Sequence, residues 1–248
     1  MKFPSIKDRL NARLEPQDKT IVMHHQWRNL LFLHWEIDKD LIQQTLPPGL
    51  YTDTFNNKAY IGITPFMLKN LKLGILPPIP GISDFPEINV RTYVFDDSGI
   101  PGIWFYSLDA DNLPSVKAAH LINLPYVHSD IAYEDGTSDE IISFSLKRNN
   151  TPRTASKFSF IINGKDFFAE SDSLEFFLIE RYYLFTYLNE KQKLNKIQVH
   201  HNPYPLCSAD LLDYDSNLLQ ADGFSLINRY PDHIIMSPGV DVNIYNMK

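Results

Sequence analysis

Between Trp27 and His201 the chain keeps returning to short runs of aromatic and β-branched residues closed by Asn, Asp, Gly or Pro. Trp27 to Glu36, Ala59 to Leu68, Ile88 to Phe95, Ile103 to Leu108, Ile131 to Tyr133, Ile141 to Leu146, Phe158 to Ile162 and Ile197 to His201 read as strands, because such side chains suit a pleated, half-buried surface. Helix signals are few. Asp38 to Leu46 opens on acidic residues and stops at Pro47-Pro48-Gly49, and Asn112 to about Asn123 carries Pro114 in its first turn and Pro125 beyond its end. The third and longest predicted helix starts after Asp172 or Ser173 and spaces Leu174, Phe177, Leu178, Arg181, Leu184 and Phe185 by threes and fours. Strands and helices do not alternate as βαβ units, which predicts an α+β, mainly antiparallel architecture rather than a doubly wound sheet.

At 248 residues roughly 70–75% of the unfolded surface can be buried, so a real core is available. No internal repeat divides the chain, and the turn-rich Pro77–Ser83 still carries apolar residues. One domain over 1–248 is expected, with 1–19 as a peripheral N-terminal segment. The 23 Lys and Arg against 30 Asp and Glu give a net charge of −7, which argues against nucleic acid as a partner. The single cysteine, Cys207, cannot form an intramolecular disulfide or a thiolate zinc cage, and no apolar run reaches signal-peptide or membrane-span length. A cytoplasmic protein without a membrane partner is expected. Ten glycines against 17 prolines speak against a glycine-rich phosphate cradle.

No nucleophile elbow, zinc helix or dinucleotide fingerprint is present, so weaker constellations carry the functional reading. His24-His25-Gln26-Trp27, Leu33-His34-Trp35-Glu36 and His200-His201 raise a metal site. Adjacent strand residues point to opposite faces, however, so histidines bonded to backbone at strand ends are favoured and no metal is expected. Strand alternation in Asn89-Val90-Arg91-Thr92-Tyr93-Val94 puts Asn89, Arg91 and Tyr93 on one face. If that face lines a cavity, the guanidinium clamps a carboxylate; the alternative is an outward polar face or an internal Glu–Arg pair. Asp109, where a strand leaves for a helix, either orients a cationic group or caps a turn. Arg181, within an apolar pattern, requires a partner elsewhere in the fold.

Trp27 with Leu30-Leu31-Phe32-Leu33-His34-Trp35, Leu46-Pro47-Pro48-Gly49-Leu50, Phe85 to Tyr93, Ser107-Leu108-Asp109-Ala110 and Leu124-Pro125-Tyr126, followed by Glu180-Arg181-Tyr182 and His200-His201-Asn202-Pro203, together resemble an uncharacterised bacterial family, the DUF2071 type. That family is placed in the acetoacetate decarboxylase-like superfamily. The resemblance covers about residues 20–210 and implies a β cone or barrel-like sheet with a few peripheral helices around a small-molecule cavity. Acetoacetate decarboxylases form an imine through a lysine amine, and their pattern has two lysines directly after a proline. Here that stretch reads Pro125-Tyr126-Val127, and an alignment shifted onto Asp111-Asn112 and Pro114 puts the lysines near Val127 and His128. Lys117 is the nearest lysine and reads as a surface residue. The same resemblance implies that Glu36 corresponds to an arginine of the decarboxylases and Glu87 to one of their acidic residues.

The resemblance and the strand parity together imply a cavity lined by His34, Trp35, Glu87, Asn89, Arg91, Tyr93, Asp109 and Tyr126. Tyr126, Glu87 and His34 would carry catalysis, and Arg91, Asn89, Tyr93, Trp35 and Asp109 would bind the ligand. No cofactor is expected, and a homo-oligomer fits the superfamily. The expected function is binding of a small carboxylate- or carbonyl-bearing molecule, either as an enzyme of non-Schiff-base chemistry or as a plain binding protein. The alternatives are a β-keto acid decarboxylase with a repositioned lysine, and a structural or interaction protein whose cavity is filled.

Overall fold

In the computed structural model, which describes residues 2–120, 122–136, 141–149, 154–226 and 229–246, β1 (Ile21–Ile37) runs through the middle of an antiparallel wall. The wall's strands, in spatial order, are β12 (His233–Tyr245), β1, β3 (Ala59–Leu73), β4 (Phe85–Asp96) and β5 (Pro101–Ala110), and the short β2 (Leu50–Thr52) adds to β4. The sheet forks at both ends of the wall. β5 pairs in parallel with β6 (Tyr126–Asp135) and with β9 (Tyr183–Leu188), and β12 pairs with both β10 (Lys193–His200) and β11 (Leu206–Ser216). The β9–β10 pair joins the fork tips across one face. β6, β7 (Ile141–Arg148), β8 (Ala155–Phe167) and β11 join them across the other. The architecture is a mostly-sheet α+β fold with a mixed sheet, in which parallel pairing is confined to β5 and its two partners.

The helices are short: α1 (Ile6–Ala12), α2 (Lys39–Thr45), α3 (Leu113–His120), α4 (Leu174–Ile179) and α5 (Leu218–Ala221). Asp38 caps α2 by accepting from the Asp40 amide, and Asn112 accepts from the Ser115 amide at the start of α3, as their sequences suggest. The predicted third helix is corrected. α4 ends at Ile179, because Arg181 Nε donates to the Phe177 carbonyl at 2.7 Å and so takes up one of the helix's last free acceptors. The aromatic and β-branched run after it becomes β9, placing Leu184 and Phe185 on a strand that a turn at Asn189–Lys191 folds back onto β10. β11 and β12 carry no strand in the sequence reading.

A wall with sheet on both sides buries both of its faces, so its two sets of alternating side chains fill two cores. Leu31, Leu33, Trp35, Ile61, Ile63, Ile88 and Val90 pack against Phe144, Phe158 and Phe160 of β7 and β8. On the other face Phe32, Phe66 and Tyr93 pack against α4, the loop leading into β11 and the first residue of β11, through Phe177, Leu178, Tyr204 and Leu206. Asn29, at φ 52°, marks an extra residue in β1 relative to β3, between Arg28 opposite Met67 and Leu33 opposite Ile63. This bulge changes the parity of the strand. Trp27 before it and Leu30, Phe32 and His34 after it consequently share the second face. Gly239 of β12, at φ 138°, lies against the same stretch, where a Cβ would sit 2.1 Å from the Trp27 carbonyl oxygen.

On the first face, charge is buried only as a closed network. Arg148 donates to Asp109 through Nε and Nη2, both at 2.6 Å, and reaches Asp222 at 3.2 Å; Ser107 and Ser129 complete the cluster. Removing one partner strands a buried charge. Arg148→Met is therefore expected to cost about 3–5 kcal/mol in urea unfolding, whereas a loss below about 1 kcal/mol would show the network to be dispensable.

Candidate functional site

The second face of the wall carries a polar stripe across the apolar background. In β4, Glu87, Asn89, Arg91 and Tyr93 all point to it, as the alternation requires, and Thr64 and Gly62 of β3 lie opposite Asn89 and Arg91. His34 of β1 lies opposite Gly62. A Cβ on Gly62 would come within 3.0 Å of His34 Cδ2 and 3.4 Å of the Tyr93 hydroxyl, so the missing side chain lets those two groups approach. Tyr126, at the start of β6, reaches the same stripe and donates to Glu87 Oε2 at 2.7 Å.

Arg91 is 7% exposed, and among the described residues it forms no ion pair. Its guanidinium carbon lies 5.2 Å from the Phe32 ring centre and 6.0 Å from that of Tyr93, while Nε and Nη2 have no hydrogen-bond partner in the protein. Around it, His34 Nε2, Thr64 Oγ1, Asn89 Oδ1 and the Tyr93 hydroxyl are also buried without one. Native proteins satisfy most buried polar atoms, and each unpaired one costs about 1–3 kcal/mol. Here several of them concentrate on one patch of the second face.

Arg181, by contrast, has a carboxylate partner inside the protein, although its Nη2 is also buried without a hydrogen bond. It meets Asp53 at 2.8 Å, and Asp53 also receives both guanidinium nitrogens of Arg9 from α1, at 2.7 and 2.9 Å. Burial pushes the Asp53 carboxyl up, but Arg181 and Arg9 together bring it below the ordinary carboxylate range. The sequence calls for a distant partner for Arg181 but does not identify Asp53 or Arg9.

Burial sets the protonation of the stripe. It raises Glu87 to about 7, against the lowering effect of hydrogen bonds from Tyr126 and Asn89, so this carboxyl exchanges its proton near neutrality. Tyr126 is driven well above its usual range by burial and by Glu87 and stays a phenol. His34 is held well below 6.5 by burial, then by His233 and Arg91, and stays neutral. Its Nδ1 lies 3.0 Å from His233 Nδ1, so one ring must donate to the other and the two adopt complementary tautomers. His233 Nε2 lies 3.6 Å from Glu175 Oε1, nearer the surface.

The structure brings together six of the eight sequence-predicted residues: His34, Glu87, Asn89, Arg91, Tyr93 and Tyr126. Trp35 and Asp109 are corrected. As the chain neighbour of His34, Trp35 faces the other core, where its Nε1 donates to the Arg229 carbonyl. Asp109 is fully spent on Arg148 and Ser129. Sequence reasoning also overlooks Thr64, Tyr204 and His201 as parts of the second face. Among the described residues no three His, Cys, Asp or Glu side chains group as metal ligands, and no helix is long and apolar enough to cross a membrane. No buried lysine occurs among them either. Two clefts, of about 540 Å³ beside β6–β8 and about 300 Å³ where β6 and β9 part from β5, are lined by other residues than the stripe.

This inward polar stripe can be set beside known proteins. Residues 24–241 match the sequence pattern of DUF2071, described as an uncharacterised conserved protein family. The chain belongs to the DUF2071 family. The uncharacterised protein YqjF of Bacillus subtilis (strain 168) is similar, 37% identical over 206 residues that cover 83% of each chain. Among solved structures, acetoacetate decarboxylase from Legionella pneumophila superposes with a TM-score of 0.64 at 13% identity, over 100% of this chain and 96% of that one. The enduracididine biosynthesis enzyme MppR complexed with pyruvate gives 0.59 at 14% identity, over 94% and 91%. An acetoacetate decarboxylase-like enzyme from Sphingomonas wittichii RW1 gives 0.62 at 10% identity, over 91% of each. These likenesses establish the fold of this DUF2071 protein as acetoacetate decarboxylase-like.

The Glu87 shift has a consequence for stability. Folding lifts the carboxyl from 4.5 to about 7, so the folded state holds this proton more tightly than the unfolded chain does. The associated stability is full below about pH 4.5 and is lost as pH rises through 7. Urea unfolding of the wild type is expected to lose about 3 kcal/mol more between pH 4.5 and 8 than Glu87→Gln loses. Equal slopes for the two proteins would contradict the assigned shift.

Proposed function

We propose that the second face of the wall binds a small oxo acid, with Arg91 holding its carboxylate and the Glu87–Tyr126 pair moving a proton next to its carbonyl. The observation that carries this reading is the Arg91 guanidinium, buried against aromatic rings with two nitrogens, Nε and Nη2, unpartnered and no ion pair among the described residues. A carboxylate supplies both the charge and the two-pronged acceptor that such a fork fits. Asn89 and Thr64 then lie beside the carbonyl-bearing carbon, and His34 Nε2 adds a further hydrogen-bonding atom from a neutral ring.

The chemistry we assign is enolisation without a covalent intermediate. Glu87, as a carboxylate, removes a proton from the carbon next to the carbonyl; the C–H electron pair becomes the new C=C bond, and the carbonyl electrons move to oxygen. The Tyr126 phenol hydrogen-bonds to that developing oxyanion. The absence of a buried lysine among the described residues favours this route over an imine. The cone-shaped enclosure of the acid is part of the same proposal, as is the oxo-acid ligand class, for which MppR complexed with pyruvate provides the probe.

Two measurements test the reading. Pyruvate or acetoacetate is expected to raise the melting temperature of the wild type and of Arg91→Lys to unequal extents, with Lys weaker because it lacks the fork, and not to raise that of folded Arg91→Gln. Wild-type protein in D₂O is expected to wash out the pyruvate methyl proton signal, and Glu87→Gln and Tyr126→Phe to slow this at least 100-fold. Binding without exchange would reduce the protein to a binding module. No stabilisation by either acid would leave an interaction protein with a packed interior, and a mass gain after borohydride treatment with either acid would restore imine chemistry.

A further inference from the structure

A second group of unpartnered polar atoms continues the same face beyond Phe66. Both ring nitrogens of His25, Trp27 Nε1 and His201 Nε2 have no hydrogen-bond partner in the protein, although His25 is 5% and His201 1% exposed. The three rings sit together, with centres 5.4 Å apart for His25 and Trp27 and 5.9 Å for Trp27 and His201. The Asn29 bulge turns this end of β1 to the face that also carries Arg91. The connection is aromatic: Tyr204 lies 4.5 Å from His201 and 5.7 Å from Phe32, and Phe32 lies under the Arg91 guanidinium.

The chemistry of this end differs from that around Arg91. Burial, with a smaller effect of His24, pushes His25 down to about 3. Burial also takes His201 down to about 4, against the raising effects of the Asn202 and Arg181 carbonyls, so both imidazoles are neutral. His201 Nδ1 lies 2.7 Å from that carbonyl and must donate to it, which leaves Nε2 as an acceptor. Trp27 can only donate, and neutral His25 offers one donor and one acceptor. Their common complement is uncharged and both donates and accepts. The surrounding rings, Phe66 at 5.9 Å from Trp27 and Tyr204, favour a flat group.

Distance separates the two ends. Gly62 lies opposite Arg91, and Phe66 is four residues further along β3, roughly 13 Å at 3.3 Å per residue. A three-carbon acid held by Arg91 touches only that end, whereas an aryl acid reaches several ångström further toward the three rings. We infer that His25, Trp27 and His201 form a subsite for the uncharged ring end of the ligand, and that this ligand is an aromatic oxo acid whose ring bears a hydroxyl or an equivalent donor–acceptor group. The inference rests on the proposed role of Arg91 as the carboxylate anchor.

Calorimetric titration of the full chain with pyruvate, phenylpyruvate and 4-hydroxyphenylpyruvate tests it. The ring hydroxyl is expected to tighten Kd at least tenfold over phenylpyruvate, because a site built to hydrogen-bond rejects an analogue lacking the group. Trp27→Phe removes one N–H and little volume, and it should cut that ratio below threefold while moving the pyruvate Kd less than twofold. His201→Gln provides the same reading should Trp27→Phe fail to fold. Equal affinity for the two aryl acids, or a ratio unchanged in the folded variants, overturns the subsite and leaves the Arg91 reading intact provided pyruvate binds. Failure of all three acids to bind overturns both.

Discussion

A guanidinium enclosed by protein needs an anion, and Arg91 has none among the described residues. This constraint organises the second face of the wall. Leaving such a group unpaired is expensive, yet the same chain shows twice that it can pair buried arginines internally, Arg148 with Asp109 and Asp222, and Arg181 with Asp53. Where charge is structural, the fold supplies a carboxylate. Where Arg91 sits, it instead surrounds the group with further unspent donors and acceptors.

The forked sheet makes this arrangement possible. Because β5 and β12 each hold two partners, the five-strand wall is covered on both sides, and the chain divides the work between its faces. One face is an apolar core locked by the Arg148 cluster. The other carries aromatic rings interrupted by polar groups that burial has tuned: a carboxyl titrating near 7, a phenol that keeps its proton and a histidine that stays neutral. Desolvation is the leading cause of all three shifts, so enclosure itself creates the acid–base character of the stripe.

The part of this legible in sequence is the part that depends on strand parity. Glu87, Asn89, Arg91 and Tyr93 alternate without interruption, and their common face follows from a period of two. The same rule, applied to His34 and Trp35, already forbids both from sharing a face, and the structure gives Trp35 to the other core. Parity fails across Asn29, because a single left-handed residue shifts the facing set and nothing in the local composition marks it. The run from Leu174 to Phe185 fits a helical period and a strand pair equally well, and its outcome is decided by the Arg181–Phe177 contact and the β10 partner, both tertiary. Long-range contacts such as Arg9 with Asp53, or His201 beside Trp27, have no local signature at all. The family resemblance supplies the fold, whereas Tyr126 in place of a lysine directs attention to chemistry other than an imine.

The most direct test of the account is a crystal structure of the protein soaked in pyruvate. The account predicts a planar carboxylate about 3 Å from Arg91 Nε and Nη2, with the carbonyl turned toward Tyr126 and no covalent bond to protein. A guanidinium met instead by a protein carboxylate, or ligand density continuous with a lysine side chain, would contradict it.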